Sequence, residues 1–224
     1  MAEPQQPDPT NLPTVVYDLS VPIVDGMDWY GIPETPPVQL REVGSLQDFA
    51  WRSHWLSIMV VNGTTYLETA AHLFEDAPTL DEIPPEKFIT RAFVVKLTPI
   101  GQEVPAPDYE LDGFQPGRDS LLLYLGWEEH LSSALCYADS PYFSPALQQW
   151  ILQYQPAMLG ADTLSFDHPD DEQMPFVRAF FQQGGMILCP LVGIGNLPAE
   201  IVTLYAAPIR LIGTSGAPCR VLAW

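Results

Sequence analysis

The sequence predicts a mixed α and β fold: one domain with a largely β core and a few helices packed on its flank. Three observations carry this. Short apolar, β-branched runs recur between turn residues, as buried strands do. Only three segments carry helix start or stop signals. The 224 residues, 47% of them hydrophobic, suffice for one sizeable core and demand no second.

In order, the strand runs are Val15–Leu19, Leu56–Val61, Phe93–Leu97, Leu121–Leu125, Ala157–Leu164, Met186–Cys189, Ile209–Ile212 and Val221–Ala223. The first helix opens at Ser144-Pro145, a hydroxyl cap and a first-turn proline. Leu147, Trp150 and Ile151 then recur on one face as far as about Tyr154. A second helix spans Pro175 to Gln183 and stops at Gly184-Gly185. A third begins near Pro198 and carries Ile201, Leu204 and Tyr205. Residues 1–13 are polar and proline-rich and have no signal-peptide pattern, so they read as a flexible tail before a domain over 14–224.

Charge excludes several functions. With 28 acids against 9 bases the formal net charge is −19, which repels phosphate backbones and anionic membranes. A cationic substrate or partner is compatible with that sign; solubility explains it more simply, and Asp167 to Glu172 reads as a solvated acidic loop. The apolar tract Met186 to Ile212 is broken by Pro190, Gly193, Gly195, Pro198 and Pro208, which no membrane helix would carry. Cys136, Cys189 and Cys219 form no CxxC pair and no disulfide framework, in keeping with a reducing cytoplasm.

The stretch from Val61 to His72, VNGTTYLETAAH, holds the candidate chemistry. It resembles the H-x-G-T-H-x-D-x-P-x-H signature of the metal-dependent cyclase family, whose best-known members are bacterial kynurenine formamidases. Four more segments match in order. Tyr17 to Ile23 with Gly26 to Gly31 is similar to the family's D-L-S-x-P-I-x-x-G-M-P-x-W-P-G, and Leu121 to Trp127 to its strand ending in T-G-W. Gly160 to Asp167 is similar to G-x-D-T-x-S-x-D, and Gly213 to Arg220 to G-x-D-G-x-P-x-R.

The resemblance implies a swivelling β/β/α architecture, a homodimer, and hydrolysis of an amide or lactone by metal-bound water. It also implies a two-metal site, and there this chain departs from the pattern. The ligand histidines fall on Asn62 and Tyr66, the carboxylate on Glu68 and the closing histidine on His72. A later H-P-x-H reads Met174-Pro175-Phe176-Val177, with Val177 at the imidazole position and Cys189 or, with a one-residue slip, Pro190 at the acid position. Only Glu68 and His72 remain as ordinary ligands, against the three a catalytic metal takes from its protein. The expectation is therefore no metal centre, with a weak single zinc or manganese at Glu68 and His72 left open.

His72 is the candidate general acid or base, against a histidine that merely bonds a backbone group at a strand end. Glu68 could orient His72, activate water or make a buried ion pair. Asn62 and Tyr66 read as hydrogen-bonding groups that line the pocket, and Trp29 and Tyr30 resemble the family's aromatic pocket wall. Cys189 reads as an inert buried thiol rather than a nucleophile, and His168 as a surface histidine rather than a replacement ligand. Asp162 and Asp167 read as turn and hydrogen-bonding residues, and Trp51, Trp55, Trp127 and Trp150 as core. His54 and His130 have no motif around them. The function expected is a cyclase-like hydrolase of a small amide, ester or lactone; the alternative is an inactive relative that binds a small molecule or protein through the old pocket.

Overall fold

The computed structural model of the chain describes residues 13–28, 35–131 and 139–224. In chain order its strands are β1 (Tyr17–Asp18), β2 (Gln39–Gly44), β3 (Ser53–Ser57), β4 (Tyr66–Glu68), β5 (Ile89–Lys96), β6 (Glu103–Val104), β7 (Ser120–Tyr124), β8 (Tyr142–Phe143), β9 (Met158–Ala161), β10 (Met186–Cys189), β11 (Ile201–Pro208) and β12 (Gly216–Ala223). The α-helices are α1 (Pro145–Tyr154) and α2 (Pro175–Gln182). No helix among the described residues is long and apolar enough to cross a membrane.

Seven strands close on themselves in the order β12–β11–β5–β7–β9–β10–β4, and β4 pairs back onto β12 with Tyr66 opposite Pro218 and Glu68 opposite Gly216. Beyond that pairing, β1 takes up the far end of the same β12 edge. The centre, β5–β7–β9–β10, is parallel, which explains its unbroken apolar runs: both faces of those strands are covered. Ala92, Val94, Leu122, Met158, Leu188, Leu204 and Leu67 fill the inside of the ring. Their neighbours Phe93, Val95, Leu121, Leu123, Leu159 and Ile187 face outward, beneath Leu147 and Ile151 of α1 and Phe176, Phe180 and Phe181 of α2. The α1 start has the expected form, with Ser144 Oγ accepting from the Leu147 N–H at 3.1 Å.

The third helix does not form. Residues 201–208 are strand β11, with Val202, Leu204 and Ala206 buried and the residues between them less so. Ile201, Leu204 and Tyr205 do sit at helical spacing, but the burial has period two, and three β-branched residues in a row fit a strand better. Ile209–Ile212 is a turn that brings the chain back into β12, and its outward Ile209 and Ile212 are exposed. The run Leu56–Val61 also shifts: β3 ends at Ser57, and Met59 to Thr65 is irregular.

β2 and β3 pair only with each other, and β3 is exposed along its whole length. Trp51 and Trp55 are therefore surface residues and not core. Arg41 lies 4.5 Å above the Trp55 ring, and Phe49 stacks on Trp51. Trp127 and Trp150 are half-buried. The expected tail lies almost wholly outside the described residues, as do Trp29, Tyr30 and Cys136.

Candidate active site

The motif from Val61 to His72 is built by three local devices. Asn62 adopts a left-handed backbone, φ 69°, which asparagine tolerates better than most residues. Gly63 follows because any Cβ there would meet the Met59 carbonyl oxygen at 2.5 Å. The chain then enters β4, where Tyr66 and Glu68 share a face and Leu67 points into the ring. Thr69 ends the strand: its Oγ1 accepts from the Ala71 N–H at 3.3 Å, its own N–H donates to Ser215, and a short 3-10 turn, Ala70–His72, swings His72 back over Glu68.

The outer wall of the site is the segment between β9 and α2. Asp167 is buried, contrary to the solvated loop expected there; only the residues after it are exposed. Its two carboxylate oxygens accept from the N–H groups of Phe176 at 2.7 Å and Val177 at 3.1 Å. It thus caps α2 from nine residues upstream, satisfying donors that Met174, in a left-handed conformation, leaves open. Desolvation pushes the Asp167 carboxyl up, and these two N–H groups pull it back.

Between these walls lies a cleft of about 420 Å³, lined at its floor by Asn62, Tyr66, Glu68, His72, Val177 and Ile187 and at its rim by Ser165, His168, Asp171, Glu172 and Met174. The structure therefore brings Asn62, Tyr66, Glu68 and His72 together. Trp29 and Tyr30 lie outside the described residues. The rim residues Asp171, Glu172 and Met174 were not among the sequence candidates; the acidic run itself was visible, but not that it turns toward the cleft.

The electrostatics of the floor are dominated by burial. Glu68 is 5% exposed, and its Oε2 accepts no hydrogen bond from any described residue. Desolvation alone raises its pKa to about 8. His72 Nδ1 stands 3.7 Å from that oxygen, and burial lowers the imidazole below its ordinary value. At 3.7 Å the pair is too far apart for a hydrogen bond that would reward charge separation, so both groups are neutral near pH 7.

Cys189 is fully buried beneath Tyr66, its Sγ 3.3 Å from the phenol oxygen. Burial and the nearby Glu68 push the thiol far up, which makes it an inert side chain and no nucleophile at neutral pH. His168 is exposed; its Nδ1 accepts from the Asp170 N–H at 3.1 Å and its ring packs edge-on to Tyr142 at 4.6 Å. Asp162 holds the end of β7 through the N–H groups of Leu125 and Trp127, while desolvation raises its pKa to about 6. His54 and His130 lie on the surface, the latter stacked on Trp127.

The donors present do not fit a two-metal centre. Among the described residues no group of three His, Cys, Asp or Glu side chains converges. Val177 has no lone pair, and a phenol such as that of Tyr66 is a poor ligand at neutral pH. Among the described residues Glu68 Oε2 has no hydrogen-bonding neighbour of the kind that orients a ligating carboxylate.

In structure the chain is similar to isatin hydrolase A from Labrenzia aggregata bound to benzyl benzoate, at 22% identity and a TM-score of 0.77 over 93% of each chain. It is similar to a predicted metal-dependent hydrolase from Bacillus stearothermophilus, at 21% identity and a TM-score of 0.75 over 93% of this chain and 97% of that one. It also resembles a potential metal-dependent hydrolase with cyclase activity, at 24% identity and a TM-score of 0.74 over 93% and 96%. These likenesses establish the fold. No curated protein matches the chain in sequence. Residues 17–168 match the family model Cyclase, described as "Putative cyclase". That span takes in the β4 motif, Asp162 and Asp167, and on its strength the chain belongs to the Cyclase family.

Proposed function

We propose that the chain hydrolyses a small amide, ester or lactone by acid–base chemistry of Glu68 and His72, with the family's usual two-metal site lost. The observation that carries this is the buried Glu68 carboxyl at the floor of a cleft, its Oε2 without a hydrogen-bond partner among the described residues and 3.7 Å from a half-buried imidazole. Burial drives the two pKa values past each other, Glu68 up and His72 down. Such environment-tuned pairs are a signature of acid–base catalysis.

The assignment follows from the protonation states. Neutral His72 takes a proton from water, and the hydroxide formed attacks the substrate carbonyl carbon. The Glu68 carboxyl donates its proton to the leaving nitrogen or oxygen as the C–N or C–O bond breaks. Solvent then carries the proton from His72 back to Glu68. Tyr66 and Asn62 offer hydrogen bonds to the carbonyl side of the substrate. The hydrolase structures to which the fold is similar support the reaction class.

A second reading is a protein that binds a small molecule in the same cleft without turning it over. Buried Val177 and Tyr66, at positions where the family carries imidazoles, favour it. A screen of formyl amides, esters and lactones, with and without added zinc or manganese, separates the two. The first reading expects turnover that added metal does not stimulate, and well under one zinc or manganese per chain by elemental analysis. Brisk metal-stimulated hydrolysis, or stoichiometric metal that survives chelation, overturns it. No turnover with a ligand-induced rise in Tm establishes the second.

We also propose a homodimer, supported by the exposed apolar side chains of the β2–β3 ribbon, Trp51, Trp55 and Leu56 among them. Sedimentation equilibrium tests it: a species of twice the chain mass is expected, and a monomer at micromolar concentration contradicts it.

A further inference from the structure

The cleft has a charge asymmetry that limits what can enter it. Among the described residues its lining includes Glu68, Asp167, Asp171 and Glu172 and no lysine or arginine. The segments 1–12, 29–34 and 132–138 contain no lysine or arginine either, so they bring no side-chain cation to it. Arg178, close by in sequence, is engaged elsewhere: its Nε donates to the Gln173 carbonyl at 2.8 Å and its guanidinium lies 5.6 Å from the Phe74 ring.

The acids are not equivalent. Asp167 spends both oxygens on the first N–H groups of α2. It thereby also occupies the helix terminus that borders the cleft, where a substrate carboxylate would otherwise find donors. Asp171 and Glu172 are exposed at the rim, with no ion pair to any described residue. At the floor, Glu68 lines the same cavity, its buried Oε2 without a hydrogen-bond partner among the described residues. An anionic ligand would thus meet the Asp171 and Glu172 carboxylates at the rim, with no lysine or arginine among the described lining residues to offset them. The whole-chain charge of −19 adds to the same bias.

We propose that the substrate of this cleft is cationic, an amide, ester or lactone carrying an ammonium group that Asp171 and Glu172 hold at the rim while its carbonyl reaches Glu68 and His72. The assignment of the reacting end rests on the hydrolase reading above; the charge preference rests on the lining alone. The two carboxylates act through partly screened solvent, where the Debye length is about 8 Å at physiological ionic strength. Their effect is therefore a salt-sensitive gain in kcat/KM and not a new chemical step.

The test uses three p-nitrophenyl esters of one chain length whose tails end in trimethylammonium, tert-butyl or carboxylate. The expected order of kcat/KM is cation, neutral, anion. The cation should exceed the anion by roughly tenfold at low salt, and that ratio should shrink in high KCl. The double variant Asp171→Asn/Glu172→Gln should bring the ratio close to one. Glu86→Gln/Asp112→Asn, which removes the same charge from remote surface, should leave the ratio as it was. Equal rates for the three esters, a preference for the anion, or a ratio unmoved by the rim variant overturns the proposal. If the parent turns over none of them, the hydrolase reading fails separately, and calorimetric binding of the corresponding non-hydrolysable amides decides the charge question. Tighter binding of the cationic amide then supports the proposal, and indifferent or anion-favouring binding overturns it.

Discussion

Nδ1 of His72 and Oε2 of Glu68 stand 3.7 Å apart, four residues apart in the chain, one side chain half-buried and the other buried. The spacing lets both groups face the cleft without closing on each other. Because no hydrogen bond joins them, desolvation sets each protonation state, and it favours the uncharged form of both.

Stability should record this directly. In the unfolded chain Glu68 titrates near the ordinary value of 4.5, and in the fold it keeps its proton to about 8. Between those values the unfolded state holds one proton fewer, so stability falls as pH rises, by about 1.4 kcal/mol per pH unit. Asp162 contributes in the same direction, but only up to about 6. Glu68→Gln removes the Glu68 part. Urea unfolding between about pH 6.5 and about pH 8.5 should find the variant's stability nearly flat and the parent's declining. Parallel curves would show that Glu68 is ionised in the fold.

His72→Ala should cost about 10²–10⁴-fold in kcat/KM, the usual contribution of a general acid or base. The side chain is 34% exposed and makes no hydrogen bond to Glu68, so the fall in Tm should be small beside the loss of activity. Turnover that survives the substitution removes His72 from the mechanism.

Asp167→Ala should destabilise the fold by about 1–3 kcal/mol, since it strips the Phe176 and Val177 N–H groups of their acceptors. Asp167→Asn keeps one acceptor oxygen and should cost less. Chemical denaturation of the pair checks the order; an Asn variant as unstable as the Ala variant would mean that the negative charge, and not the hydrogen bonding, matters at this cap.

Thr65→Val tests the link between the motif and the N-terminal segment. Thr65 Oγ1 donates to the Pro190 carbonyl at 2.6 Å and accepts from the Val21 N–H at 2.8 Å. Valine keeps the shape and orphans both partners, at about 1–3 kcal/mol each. Thr65→Ser should recover most of the loss. A valine variant as stable as the parent would show that water replaces the hydroxyl.

The fold was legible because the ordered segments are the ones that bond one another. Asp18 of the opening segment pairs with Arg220 of the closing one at 2.5 Å, and Ser20 Oγ accepts from the Val221 N–H. Asp162 of the G-x-D-T segment ties down the Leu125–Trp127 strand end. Short-range pattern was a weaker guide. Ile201, Leu204 and Tyr205 satisfy a helical spacing and a strand alternation alike, and only the pairing of β11 with β5 and β12 decides between them. The β2–β3 ribbon escaped because its residues are mostly polar or exposed, so no buried face wrote a period into the sequence. At the site, the β4 motif marked Glu68 and His72, but the place of Asp171 and Glu172 at the cleft rim follows from how the segment before α2 is folded back by the Asp167 cap. That is a contact between residues nine apart with no local signature.

In the proposed function, metal-free catalysis runs on a protonated Glu68 and a neutral His72. The most direct measurement is the pH dependence of kcat/KM for a hydrolysed ester, in parent and Glu68→Gln, with a chelator present throughout. A bell is expected for the parent. Its acid limb lies below the ordinary histidine value, and its basic limb lies at about 8, where Glu68 gives up its proton. In Glu68→Gln the basic limb disappears and the maximum rate falls. A parent profile abolished by the chelator, or a limb near 8 that persists in Glu68→Gln, would contradict it.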